Sequence, residues 1–136
     1  MNTPHPIPER GTDSDGRVRP IRIRLSRRKG FDLQALSLDY NGRAAAVVSR
    51  PSVFGNPFSV TTKMAPGTPI AAGSYVAVAT VEDAVECFRE MLTFPGERAD
   101  AIRAALPELR GKNLACWCTL GTPCHADVLL ELANAP

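Results

Sequence analysis

The sequence has no long apolar run. Its apolar runs, among them Ala44 to Val48, Val76 to Ala79 and Val128 to Leu130, fall far short of the roughly 18 residues a membrane-spanning helix takes. A signal peptide is missing as well: Met1 to Gly16 is polar and carries Pro6, Pro8 and two glycines, where a secretory leader would carry an apolar core. These absences exclude an integral helical membrane protein and lead us to expect a soluble, cytoplasmic one. No segment repeats. At 136 residues the chain fits one domain, which buries about two-thirds of its unfolded surface and needs no disulfides to fold.

Net charge is also scarce, at +2, but residues 1 to 30 hold eight Lys and Arg against three acids, and the rest hold eight against eleven. A basic front ahead of a mildly acidic body is one footprint of a nucleic-acid or nucleotide partner; a solvated strand face is the plainer reading. Arg22 and Arg24 alternate with Ile21, Ile23 and Leu25, as a half-exposed edge strand would have them. Arg27, Arg28 and Lys29 follow in one run, and three adjacent cations repel one another unless an anion lies nearby. They are the candidate phosphate contacts.

Residues 1 to 17, rich in Pro, Gly, Asp, Ser and Thr, read as a disordered tail ahead of a single domain over 18 to 136. Pro20 to Leu25 is the first strand, and Phe31 to Leu38 is open between a helical turn and a loop. Asn41-Gly42 is a turn signal, and Ala45 to Ser49 a second strand. Arg50 to Phe58 is an ordered loop in which Pro51 and Pro57 restrict the backbone and Gly55 supplies a conformation other residues avoid. It offers Arg50 and Asn56 to a ligand, unless Phe54 and Phe58 merely pin it to the core. Thr61 to Ser74 reads as an exposed connection, and Tyr75 to Ala79 as a short strand or the approach to a helix. Thr80 caps that helix, with Glu82 and Asp83 in its first turn and Val81, Ala84, Val85, Phe88, Met91 and Leu92 on one face. Cys87 sits at the edge of that face. A second helix over Glu97 to Leu106 is closed by Pro107. The fold class is α/β, with a short mixed sheet flanked by helices and ending in a strand-loop-helix corner.

That corner holds the chemistry, because three of the four cysteines and one of the two histidines lie between 116 and 125. Leu114 to Cys118 reads as a strand, Thr119 to Thr122 as a loop, and Pro123 to Ala133 as a helix capped by Thr122. Strand alternation puts Cys116 and Cys118 on one face and Trp117 on the other, where it belongs to the core. Cys124 returns at the helix start, where the dipole favours thiolate. Cys116, Cys118, Cys124 and His125 thus carry the right elements for zinc, although adjacent residues on a helix point roughly 100° apart, which sets Cys124 against His125. A second reading is nucleophilic catalysis by Cys124 with His125 as base and Asp127 orienting the imidazole; it leaves Cys116 and Cys118 without a task. The third is packing, since cysteine is among the most buried residue types.

Leu109-Arg110-Gly111-Lys112-Asn113-Leu114-Ala115-Cys116-Trp117-Cys118, then Pro123-Cys124-His125-Ala126-Asp127-Val128-Leu129-Leu130-Glu131-Leu132-Ala133-Asn134, resembles the signature of an uncharacterised domain family of bacteria, actinobacteria especially, and their phages. Arg27 to Phe31 is similar to that family's opening basic segment, and Arg50-Pro51-Ser52 with Gly55-Asn56-Pro57-Phe58 to its middle loop. The resemblance spans residues 20 to 134. An insertion-like stretch at Gln34 to Arg43 and Thr119 in place of a proline depart from it. It implies one intact domain and a bacterial or phage setting. It also implies that the three blocks belong together, and if they converge they form a pocket of cations, an amide and thiolates suited to an anionic molecule such as a nucleotide.

Overall fold

The structure, a computed structural model, describes residues 16–135. The expected tail therefore falls outside the described residues up to position 15, while Arg17 is anchored by a 2.7 Å bond from its Nη1 to the Gly42 carbonyl. Among the described residues six strands and four α-helices follow in the order β1 (Arg22–Arg24), α1 (Leu33–Asn41), β2 (Ala45–Val47), β3 (Phe58–Val60), β4 (Pro69–Ile70), β5 (Tyr75–Val78), α2 (Val81–Met91), α3 (Glu97–Ala105), β6 (Asn113–Cys116) and α4 (His125–Ala133). No described helix is long and apolar enough to cross a membrane.

The α/β class holds, but the strands form two sheets where one was expected. The first is wholly parallel in the order β1-β6-β2; the second, β3-β5-β4, is mixed, with β4 antiparallel to β5. β1 does lie at an edge. Helices cover both faces of the parallel sheet, as they must when both faces are apolar. On one side Ile21, Ile23 and Ala115 pack under Leu33, Leu36 and Tyr40 around α1. On the other, Leu114 and Cys116 join the main core with Phe88 of α2, Ile102 of α3 and Val128 and Leu129 of α4.

The ambiguous stretch after β1 is α1. Asp32 caps it by accepting from the Ala35 N–H at 3.0 Å, and Gly42, at φ +76°, ends it in the left-handed conformation. Asn41-Gly42 is thus a helix terminus, for which glycine is the usual residue. The side chains this helix buries are Ser37 and Asn41. They meet Asn113 of β6: the two asparagine amides exchange hydrogen bonds of 2.9 Å each, Asn113 Nδ2 also donates to Ser37 Oγ at 2.7 Å, and its Oδ1 accepts the Ile21 N–H at 3.0 Å. Gln34 pairs in the same manner with both backbone groups of Ala45 on β2. The fully buried side chains of α1 are thus polar, and they dock it beside the half-buried Leu33, Leu36 and Tyr40.

α2 begins and is capped at Thr80 as expected, the Thr80 Oγ1 accepting from Asp83 N at 3.0 Å. Pro107 opens a short 3-10 turn over Leu106–Leu109 instead of simply ending α3.

Candidate metal centre and ligand cavity

All three strands of the first sheet run the same way, so the loops that leave their carboxyl ends gather along one edge. Those loops are residues 25–32 after β1, 48–57 after β2 and 117–124 after β6. They contain the basic run, the Arg50 loop and the cysteine loop. In open α/β sheets this is the edge where ligands bind.

At that edge the Cys116, Cys118 and Cys124 sulfurs lie within 4.8 Å of one another, and Cys116 Sγ is 3.2 Å from Cys124 Sγ. Cys116 and Cys124 are each about 1% exposed, whereas Cys118 is half-buried. α4 starts at His125, later than expected, and its cap is Cys124, not Thr122. Thr122 instead closes the loop, its Oγ1 donating to the Thr119 carbonyl at 2.6 Å. Being a cap, Cys124 has an extended backbone and its Sγ accepts the Ala126 N–H at 3.5 Å. The helical divergence of neighbouring side chains then no longer applies: the Cys124 sulfur turns toward the strand while His125 turns elsewhere.

His125 stands beside the sulfur cluster and is not one of its three members. Its Nε2 lies 2.9 Å from the Val48 carbonyl, its Nδ1 3.7 Å from Cys124 Sγ, and its ring meets Phe88 edge-on at 5.2 Å. A carbonyl can only accept, so Nε2 carries a proton and Val48, not Asp127, sets the imidazole's orientation. This corrects the role expected of Asp127. Its carboxylate accepts from Arg22 Nη1 at 3.1 Å. Burial raises the Asp127 pKa, and Arg22 opposes that shift.

Arg22 is the residue that sequence reasoning missed. Its side chain is only 9% exposed, and its Nη2 also reaches the Thr119 and Thr122 carbonyls at 3.3 and 2.8 Å, so that one guanidinium clamps the loop between the sulfurs to the start of α4. The signal was its register: Arg22 and Cys116 are on the face of the sheet that α4 covers, since Arg22 aligns with Leu114. Hydrogen bonds, from the Cys116 thiol first and Cys124 second, hold the Cys118 pKa down to about 3 against its partial burial, and the Arg22 charge helps. Cys116 is pushed up by the same sharing, chiefly with Cys118.

The two other blocks reach the edge at different places. Arg27 lies with its guanidinium carbon 4.2 Å from the centroid of the Trp117 ring. Trp117, expected in the core, is 43% exposed. Arg28 and Lys29 are exposed beside it in the same turn. The middle loop instead faces the sulfurs: Arg50 and Asn56 line a cavity of about 270 Å³ together with Cys118, Cys124 and His125. Asn56 is an internal clasp, accepting from Phe58 N at 2.9 Å and donating to the Ala84 carbonyl at 3.1 Å. Arg50 spans the cavity rim, its Nε on the Asn56 carbonyl at 2.7 Å and Nη2 on that of Phe58 at 3.2 Å, above the Tyr75 ring at 4.4 Å.

Gly55 is needed for space, not for an unusual φ as the sequence suggested: a Cβ there would stand 2.9 Å from Arg50 Cγ and 3.1 Å from its Cα. Gly55→Ala is expected to push Arg50 off the rim at a cost of about 1–3 kcal/mol. Urea unfolding measures that cost, and an alanine variant as stable as the parent would show that the approach is not tight.

The family described as Domain of unknown function (DUF4326) matches residues 36–135, and the chain belongs to it. The match begins within the insertion-like stretch at 34–43, and the basic run at 27–29 lies outside it. No curated protein and no solved structure matches the chain.

Proposed function

We propose that this domain binds one zinc ion through Cys116, Cys118 and Cys124, next to a basic surface for nucleotide or nucleic acid. The observation that carries it is the meeting of three sulfurs, delivered by two successive pieces of backbone, within 4.8 Å. Tetrahedral zinc with Zn–S bonds of about 2.3 Å sets its sulfurs about 3.8 Å apart. The 3.2 Å between Cys116 and Cys124 lies below that value and the 4.8 Å that bounds all three sulfurs lies above it, so no pair needs to change its separation by more than about 1 Å. A reducing compartment such as the cytoplasm would keep the three thiols available. Elemental analysis of the purified chain tests the proposal: one equivalent of zinc supports it. Absence of metal, with rapid alkylation of a single thiol near neutral pH, turns the reading to a cysteine-dependent enzyme acting on an anionic small molecule.

Arg22 holds the loop that carries Cys118 and so acts on the metal through it. Removing such outer partners commonly costs 10- to 100-fold in metal affinity, and Arg22→Ala is expected to weaken zinc by about that factor while leaving the zinc-to-protein ratio at one. Competition with a chromophoric chelator reads it. An unchanged affinity would mean that the loop keeps its shape without the clamp.

The nucleic-acid part of the proposal rests on Arg27 over the exposed Trp117 ring, a cation beside an aromatic surface, with Arg28 and Lys29 next to them. Single-stranded nucleic acid takes that combination, phosphates on cations and bases on rings. Binding to an oligonucleotide should fall steeply with salt, and the slope should flatten when Arg27, Arg28 and Lys29 are replaced together. Binding that ignores salt counts against phosphate contact.

A further inference from the structure

Two of the three thiols, Cys118 and Cys124, face the 270 Å³ cavity, and Arg50 lies on its rim. Both hydrogen bonds of the Arg50 guanidinium go to neutral carbonyls, and its Nη1 makes none to the described residues. No carboxylate lines the cavity to neutralise that charge. The rest of the wall is largely apolar, with Phe58, Val60, Val81 and Val85. A metal held by three sulfurs has one tetrahedral position left, and a site with three protein ligands and an open place is the arrangement found where zinc meets a substrate or water. His125 does not fill it as the side chains stand: its Nδ1 is 3.7 Å from Cys124 Sγ, but neither ring nitrogen lies within 4.8 Å of all three sulfurs.

We infer that the cavity binds a small oxyanion with a short apolar substituent, a carboxylate or a phosphate monoester. One oxygen completes the metal's coordination, another accepts from Arg50 Nη1, and the substituent lies against Val60, Val81 and Val85. A cavity of about 270 Å³ lies just under the roughly 300–1,000 Å³ of pockets for drug-sized ligands, and benzoate and phenyl phosphate fit inside it. The inference rests on the metal reading, and the test separates the two.

Cobalt(II) reports both steps. Bound by three thiolates it gives sulfur-to-metal charge transfer in the near ultraviolet, and its visible bands respond to whatever occupies the fourth position. Titrating the cobalt-loaded full chain with benzoate, phenyl phosphate and acetate should shift those bands saturably for the first two and only weakly for acetate, which lacks the apolar part. The tighter of benzoate and phenyl phosphate identifies the anion. Arg50→Met should weaken the shift about 10- to 100-fold, the worth of a charged hydrogen bond, with cobalt affinity unchanged. Val85→Phe, which fills the wall and touches no polar partner, should block the shift with Arg50 in place. Cobalt bound with sulfur charge transfer, but with bands that no anion moves at millimolar concentration, overturns the inference and leaves the metal reading standing. Failure of cobalt to bind through sulfur overturns both.

Discussion

Cys118→Ser is expected to lose the metal and, with it, all response of the protein's stability to chelator. Cys118 is the half-buried member of the trio, so a serine there leaves no cavity in the core and the fold should survive. What disappears is the third sulfur. A ligand that binds only the folded chain stabilises it by about 4 kcal/mol when its free concentration is a thousand times its dissociation constant. The parent protein's Tm should therefore fall sharply when EDTA is added, whereas the variant's should be the same with and without it. Cys124→Ser sharpens the comparison, because serine is a better helix cap than cysteine. That variant should keep α4 and still lose the metal. If the sulfurs merely pack, both variants will shift Tm by a small, chelator-independent amount and the parent will not respond to EDTA either.

Asn113→Leu should destabilise the fold by about 3 kcal/mol or more. Leucine has nearly the same shape, but it leaves the buried Ile21 N–H without a partner, at about 1–3 kcal/mol, and removes three further bonds, to the Asn41 amide and Ser37 Oγ, each worth about 0.5–1.5 kcal/mol even though those groups keep their bonds to Arg19 and Arg43. Against a total stability of roughly 5–15 kcal/mol this is a large fraction. Urea unfolding should show a lower midpoint at an unchanged slope. A loss below about 1 kcal/mol would mean that the neighbours find other partners and that the amide pair is dispensable.

That network also explains which parts of the fold could be read from the sequence. α2 was legible because Thr80, two acids and a regular apolar face all point the same way. α1 was not, because the residues it fully buries are Ser37 and Asn41, held by hydrogen bonds to a strand 72 positions away, while its apolar Leu33, Leu36 and Tyr40 are only half-buried. β3 and β4 escaped for another reason. They are three and two residues long, begin next to or at a proline, and exist because β5 pairs with both. The site divides in the same manner. The sulfur cluster follows from spacing within a few residues, and so does the nearness of the three loops once the strands are known to be parallel. Arg22 does not: alternation shows that it leaves the face of Ile21 and Ile23, but not that a loop 97 residues later in the chain folds over it. Trp117 was misplaced because the expected strand, Leu114 to Cys118, runs two residues past the end of β6 at Cys116.

The order β1-β6-β2 has a consequence for how the chain reaches this state. Each outer strand of the first sheet has β6 as its neighbour, and β6 is the last strand to be synthesised. The first half of the polypeptide therefore leaves the ribosome with two strands and nothing to lay between them. Sheet formation must wait for residues 113–116, and pairing across so wide a sequence gap is slow. Ambient metal would then meet its ligands only in the closing step of folding, when the middle strand slots into place and carries the first sulfur with it.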